Sequence, residues 1–338
     1  MLILRHGEVN DIVSGREREI VGLVTSAYRL HHAGKSALPH SCFLRLPDGT
    51  PNRIIALPAY LGGDVGVAGL KWIASFPSNI AAGMERASAV MLLNSTRTGH
   101  PEALIEASLI SAKRTAASAA VAAATLCGGQ GHDGVALIGC GVINAEILRF
   151  LAATQPSLRG AVAFDASAER ADAFVRKCRE SIPNVTVIAV DDLDTAVAAY
   201  DLVSIATTAS EPHMGLGACR PGATVLHISL RDLHVNSILG CQNVVDDAEH
   251  VCRERTSLHL AEQVTNGRGF IDASLGEILS RPEDFRREPG KVVTFSPFGL
   301  GVLDIAVAQF VHGEALRRGM GLAVQDFLPL PGMPEYAR

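Results

Sequence analysis

Residues 134–165 read GVALIGCGVINAEILRFLAATQPSLRGAVAFD, and this stretch decides the fold. An apolar run, 135–138, enters Gly139-Cys140-Gly141, and a helical pattern opens at once with Val142, Ile143 and Asn144. A second apolar run closes on Asp165. Strand, glycine turn, amphipathic helix, strand and carboxylate together make a βαβ unit. The helix N-terminus presents unpaired N–H groups and the positive end of its dipole. Gly139 permits a tight turn and Gly141 lets the backbone come close, so the anion expected there is the pyrophosphate of a dinucleotide. Asp165 lies 26 residues beyond Gly139, where an acid accepts hydrogen bonds from the ribose hydroxyls. Such a carboxylate repels a 2′-phosphate, so NAD is expected over NADP. The third glycine of the usual fingerprint is Asn144 here, which weakens the spacing by itself; the βαβ context and Asp165 carry the reading.

The chain has 338 residues, more than one ordinary core holds, so two domains are expected. It is 48% hydrophobic and 19% charged, with a net charge of −5, the composition of a soluble, core-rich globular protein. No basic patch with interleaved aromatics points to nucleic acid. The opening MLILRHGEVN is too short an apolar run for a signal peptide. The alanine-rich run 115–126 is bounded by Lys113, Arg114 and Gly128, well short of a membrane span. Seven scattered cysteines show neither CxxC nor Cys/His metal spacing, so reduced thiols, a cytoplasmic location and no bound metal are expected.

Outward from the glycine turn, the pattern differs on the two sides. Upstream, Ile20, Leu23, Val24, Ala27 and Leu30 recur at helical spacing up to Gly34. SCFLRL, RIIALPAYLGG, VAGLKWIASFP and ASAVMLLNSTRTGHPEALIEA then read as strand-like pieces separated by Pro-Asp-Gly, Gly-Gly and Thr-Gly turns, an antiparallel meander. Small residues over 108–127 favour one long helix, and GGQGHDG breaks the chain after it. Downstream of Asp165 the α/β alternation continues: helices over 166–180 and 192–199, strands in VTVIAV, DLVSIATT, ATVLHIS, 243–247 and KVVTFS, and a last helix in GLGVLDIAVAQFVHGEALRRG. The predicted fold is α/β: a Rossmann-type parallel-sheet domain, 127–299, inserted in an α+β substrate-binding and dimerisation domain made of 1–126 and 300–338.

A nicotinamide enzyme must hold its substrate by charge and move a proton. Arg53, Lys71, Arg86 and Arg114 stand at or beside predicted strand and helix ends. Arginine suits bidentate carboxylate binding, and lysine serves as a point charge or, when desolvated, as a proton carrier. Any one of them alone reads first as a solvated surface cation, but Lys71 and Arg114 have apolar or small neighbours, where a charge needs a partner or a ligand. Asp232 follows the strand TVLHIS, at the sheet end that lines the ligand crevice, and is the general-base candidate; it reads as well as an N-cap of the next helix. Thr207 and Thr208 close the preceding strand toward the cofactor, and Gly299 in SPFGLG suits a close approach beside the cofactor ring. Asp304, a helical turn further, reads as structural, and His227 and His234 read as packed or exposed histidines.

These residues together resemble the ornithine cyclodeaminase/mu-crystallin family over nearly the whole chain. The resemblance rests on Arg53 with Pro58, GLKWI around Lys71, EASLISAKRTAA around Arg114, IGCGVIN, Asp165, Asp232 and SPFGLGVLD. It implies a homodimer formed through the non-nucleotide domain, substrate binding by Arg53, Lys71 and Arg114, and proton transfer or water activation by Asp232. The segment GLKWIASFPSNIAAGMERASAVMLLN looks most like the branch that oxidatively cleaves N-(2-amino-2-carboxyethyl)-L-glutamate to 2,3-diaminopropionate and 2-oxoglutarate. That substrate carries three carboxylates, which gives Arg86 a purpose, and Asn144 sits more easily in this branch. Ornithine cyclodeamination, imine reduction and a non-catalytic, crystallin-like NAD(H)-binding role are the other readings that the resemblance leaves open.

Overall fold

The computed structural model describes residues 1–127 and 131–328, so the glycine-rich break at 128–134 lies partly outside the described residues. The chain divides into two compact units: Met1–Ser14, Ser36–Ser111 and Asp304–Arg338 form the first, and Gly15–Lys35 with Ala112–Leu303 the second. Compared with the division read from sequence, the helix Glu17–His32 and most of Ser108–Leu126 group with the inserted unit. Packing explains this. Glu17–His32 lies on the helices Val142–Thr154 and Leu275–Ser280, and the buried Tyr28 hydroxyl meets Ser118 Oγ at 2.5 Å. Gly276 is required at that contact, since a Cβ there would come within 2.7 Å of the Tyr28 carbonyl oxygen. The opening helical pattern is two helices, His6–Val13 and Glu17–His32, parted at Gly15, which adopts φ +73°.

The first unit is built on a mixed sheet. Its strands are β1 (Leu2–Leu4), β2 (Ser36–Ala37), β3 (Cys42–Arg45), β4 (Arg53–Leu61), β5 (Val67–Ser75), β6 (Ala87–Asn94) and β7 (Pro101–Glu106), with Leu322–Ala323 on the edge beside β1. The expected meander is β4 to β7, antiparallel throughout. Its register sorts side chains by face. Arg53, Lys71 and Ser75 share one face with the buried Leu57 and Met91, because Arg53 pairs with Ser75 and Leu57 with Lys71. The opposite face carries Leu44, Tyr60, Trp72 and Val90, all substantially exposed. Gly69 keeps the inner face open: a Cβ there would meet the Leu92 carbonyl at 2.5 Å and Ile305 of the C-terminal helix at 3.3 Å.

The second unit holds a fully parallel sheet of eight strands among the described residues. They are β8 (Gly134–Ile138), β9 (Gly160–Phe164), β10 (Thr186–Ala189), β11 (Leu202–Ile205), β12 (Thr224–His227), β13 (Gln242–Val245), β14 (Ile271–Ser274) and β15 (Val293–Ser296). The order is β10-β9-β8-β11-β12-β15-β13-β14. Central strands of such a sheet are covered on both faces and read as apolar runs; accordingly β8, β11, β12, β13 and β15 are buried throughout. The chain leaves β8 in one direction to β9 and returns on its other side as β11. At this switch point the loops after β8, β11 and β12 gather at one end of the sheet, the place where open α/β sheets bind ligands.

Candidate active site

The glycine turn fits a dinucleotide. Gly139 has φ +93°, and a Cβ on it would lie 2.5 Å from the Ala206 carbonyl oxygen, so no other residue can bring β8 this close to the loop after β11. Gly141 is the N-cap of helix Val142–Thr154, and a Cβ there meets nothing within 4 Å. Open space beside free helix N–H groups is what a pyrophosphate requires. Val142 is exposed at this terminus and Ile143 half-buried, so both can present backbone N–H groups to it.

Asn144 does not face a ligand. Fully buried, it donates from Nδ2 to the carbonyls of Ile138 (2.9 Å) and Gly139 (2.8 Å), and its Oδ1 accepts the Ser204 hydroxyl at 2.7 Å. Where the fingerprint has a third glycine for close helix–strand packing, this chain ties helix to strand by hydrogen bonds, and the side chain serves the cofactor only by holding the turn. Asp165 accepts the Cys140 N–H at 2.9 Å and the Ser167 N–H at 3.1 Å, with Arg170 Nε at 3.5 Å. It therefore braces the turn. Burial, helped by Asp165, pushes the Cys140 thiol up to about 12, which keeps a negative charge away from the turn.

Asp232 is a hub rather than a cap; the N-cap of helix Val235–Gly240 is the exposed His234. Asp232 is fully buried. Its Oδ1 accepts the Thr207 hydroxyl and faces His213 Nε2 at 3.3 Å; its Oδ2 accepts the Ser229 hydroxyl and faces His227 Nε2 at 3.4 Å. Burial would raise this carboxyl, but His227, Ser229 and Thr207 overcome it and hold the group well below the usual carboxylate range. Thr207 is spent on Asp232 and on the Ala209 N–H, which it accepts at 3.0 Å, whereas Thr208 is exposed. His227 is buried as expected, but it is part of the hub, with Nδ1 3.2 Å from Ser296 Oγ.

Gly299 makes its close approach to Arg114. Its φ is +93°, and a Cβ would stand 2.9 Å from Arg114 Nη1 and 3.1 Å from Nη2. The turn that carries it is fixed by the buried Asp246, which accepts the N–H groups of Phe298 (2.9 Å) and Gly299 (2.7 Å). Arg114 is itself only 9% exposed.

In the first unit, Lys71 is 2% exposed and donates to the fully buried Asp304 at 2.6 Å, with Ser111 Oγ at 3.4 Å. Asp304, read as structural from the sequence, is thus the counter-charge of a candidate site residue; 233 positions separate the pair, and nothing local signals it. Arg86 is half-buried and donates to Ser75 Oγ at 3.0 Å. Burial and the neighbouring positive charge of Arg53 lower its pKa.

A model of the ornithine cyclodeaminase/mu-crystallin family matches residues 8–319. The chain belongs to this family. It is 28% identical over 327 residues to the N-((2S)-2-amino-2-carboxyethyl)-L-glutamate dehydrogenase of Staphylococcus aureus, covering 95% of this chain and 97% of the other. Among solved structures of the family, the Thermococcus litoralis Delta(1)-pyrroline-2-carboxylate reductase, in complex with NADH and L-proline, superposes with a TM-score of 0.89. That pair is 25% identical and covers 96% and 100% of the two chains. An archaeal alanine dehydrogenase dimer with bound NAD gives 0.86 at 26% identity, covering 97% and 99%. Members of the family therefore share this fold while their substrates differ. Among the described residues, no group of His, Cys, Asp and Glu could hold a metal ion, and no helix is long and apolar enough to cross a membrane.

Proposed function

We propose that this NAD-dependent amino-acid dehydrogenase cleaves N-(2-amino-2-carboxyethyl)-L-glutamate to L-2,3-diaminopropionate and 2-oxoglutarate, in the cytoplasm, for siderophore or peptide-antibiotic assembly. The observation that carries the reading is Arg86. It is half-buried beside a second guanidinium, its hydrogen-bond partner is a neutral serine, and among the described residues no carboxylate pairs with it. Such a cation is costly to keep unless a ligand neutralises it. A substrate with three carboxylates supplies that charge, whereas ornithine, with one carboxylate and two amines, does not. The resemblance to the staphylococcal dehydrogenase points the same way.

The residues that hold NAD are Gly139, Gly141, Val142 and Ile143 at the pyrophosphate and Asp165 at the ribose, with Thr208 assigned further along it; Gly299 acts instead through Arg114. NAD, when bound, accepts the hydride from the glutamate Cα. Arg53, Lys71, Arg86 and Arg114 bind the substrate carboxylates and so orient that carbon. Asp304 pairs with Lys71 and holds it in place for this task. Neutralising the carboxylates also lets a positive charge develop at the carbon–nitrogen bond without the cations opposing it. The exposed apolar face with Leu44, Tyr60, Trp72 and Val90 is assigned to a second copy of the chain in a homodimer.

The test mixes purified protein, NAD⁺ and the adduct, and follows reduced-nicotinamide absorbance together with 2-oxoglutarate by mass spectrometry. Both products are expected to appear in equal amounts. Absence of both, with ornithine converted to proline and ammonia instead, would replace this reading by cyclodeamination.

A further inference from the structure

We propose that His213 is the catalytic residue that carries the proton for carbon–nitrogen cleavage, and that Asp232 is the positioning residue behind it. The inference rests on the reaction proposed above. His213 stands in the loop after β11 and Asp232 in the loop after β12, at the same end of the sheet as the glycine turn. The three are contiguous: the position of a Gly139 Cβ falls 3.3 Å from Thr207 Cα, Thr207 donates to Asp232, and Asp232 faces His213.

The two loops are fastened to each other. The Asp232 carbonyl accepts the N–H groups of both His213 (2.9 Å) and Met214 (3.0 Å), the Met214 carbonyl accepts the His234 N–H, and Met214 bridges Leu233. Leu230, between Ser229 and Asp232, is held at φ +69° although it is buried and carries a Cβ. Such a conformation persists only where surrounding contacts over-determine it, and it clusters at working sites.

The pair divides the labour that one residue was expected to perform. Asp232 is fully buried with both oxygens engaged, so it reaches no substrate, while the His213 side chain is 42% exposed. With Nε2–H donated to Asp232 Oδ1, the neutral imidazole has its lone pair at Nδ1, ready to accept a proton from a ligand. The reaction needs this. Loss of hydride from the glutamate Cα leaves a carbon–nitrogen double bond bearing positive charge. Water adds to that carbon as its proton passes to His213 Nδ1, giving a carbinolamine. His213 then returns the proton to the departing nitrogen; the carbon–nitrogen bond breaks and the hydroxyl proton leaves to solvent as the 2-oxoglutarate carbonyl forms. One water is consumed, and one hydride and one proton are released per cleavage.

The experiment compares wild type, His213→Gln, His213→Ala and Asp232→Asn. In His213→Gln and His213→Ala, kcat on the adduct should fall about 10²- to 10⁴-fold with NAD⁺ affinity within a factor of two, and added imidazole should restore part of the His213→Ala rate only. In parallel, ¹⁵N-histidine NMR, with the His213 signals assigned by their loss in His213→Gln, should show the Nε2–H tautomer in wild type and a mixture in Asp232→Asn. Turnover of His213→Gln within threefold of wild type, or an Nδ1–H tautomer in the wild-type protein, overturns the proposal. Wild-type protein inert toward the adduct overturns the substrate reading instead, and the tautomer measurement still decides whether Asp232 orients His213.

Discussion

Replacing Asn144 by alanine isolates what this chain gained by departing from the glycine fingerprint. The side chain makes three buried hydrogen bonds, to Ile138, Gly139 and Ser204. Ile138 keeps a partner in the variant, because its carbonyl also accepts the Ala206 N–H at 2.9 Å. The Gly139 carbonyl and the fully buried Ser204 hydroxyl lose theirs. An orphaned buried polar group costs about 1–3 kcal/mol, so the variant should lose roughly 2–6 kcal/mol, a large part of the ~5–15 kcal/mol available to a folded domain. Loosening also frees Gly139 to move, so NAD⁺ affinity should fall by about tenfold or more. Asn144→Asp is nearly isosteric but loses both donors and buries a charge, so it should be worse than alanine despite its shape. Thermal unfolding with and without NAD⁺ and a binding titration decide the matter. A loss under about 0.5 kcal/mol with unchanged NAD⁺ affinity would refute the view that the asparagine is the strut of the turn.

Asp304→Asn removes the counter-charge 2.6 Å from Lys71 and should cost about 3–5 kcal/mol in chemical denaturation. A loss of less than about 1 kcal/mol would contradict a structural role for the pair. Gly299→Ala places a Cβ 2.9 Å from Arg114 Nη1 at φ +93°, so KM for the amino-acid substrate should rise several-fold in steady-state kinetics while NAD⁺ affinity stays within a factor of two. Arg86→Gln relieves the repulsion from Arg53 and should leave the melting temperature unchanged or higher, while weakening tricarboxylate binding more than tenfold by calorimetry.

What could be read from the chain before its structure follows from how local the governing physics is. The turn at Gly139, its helix and Asp165 lie within one βαβ unit, and the meander announces itself by alternation and turn residues, so short-range rules suffice for both. Asp304 and Lys71 meet across 233 positions, and no spacing encodes that. Asp232 was legible as a strand-end acid, but its basicity depends not only on its neighbours His227 and Ser229 but also on Thr207, which the loop after β11 brings to it. His213 follows Glu211-Pro212 in a loop without periodicity, so only the pinning of one loop to the next makes it visible. The split at Gly15 and the grouping of Glu17–His32 with the parallel-sheet unit depend likewise on packing, at Tyr28 and Gly276.

The charges explain why these residue types are kept apart. Lys71 has its neutralising partner inside the protein, in Asp304. Arg86 has a serine and a neighbouring arginine, and among the described residues no carboxylate pairs with it, which is why the proposed function gives it a substrate carboxylate. Asp232 is the mirror case: a carboxylate surrounded by donors that hold it ionised and spent, leaving its influence to pass through the exposed His213. A carboxylate free to take protons beside bound tricarboxylate would meet the charge of its own substrate, which opposes approach; a neutral imidazole does not. In the proposed reaction, delegating proton transfer to histidine and burying the aspartate behind it would let the protein attract a strongly anionic substrate while still offering a base for the carbon–nitrogen bond.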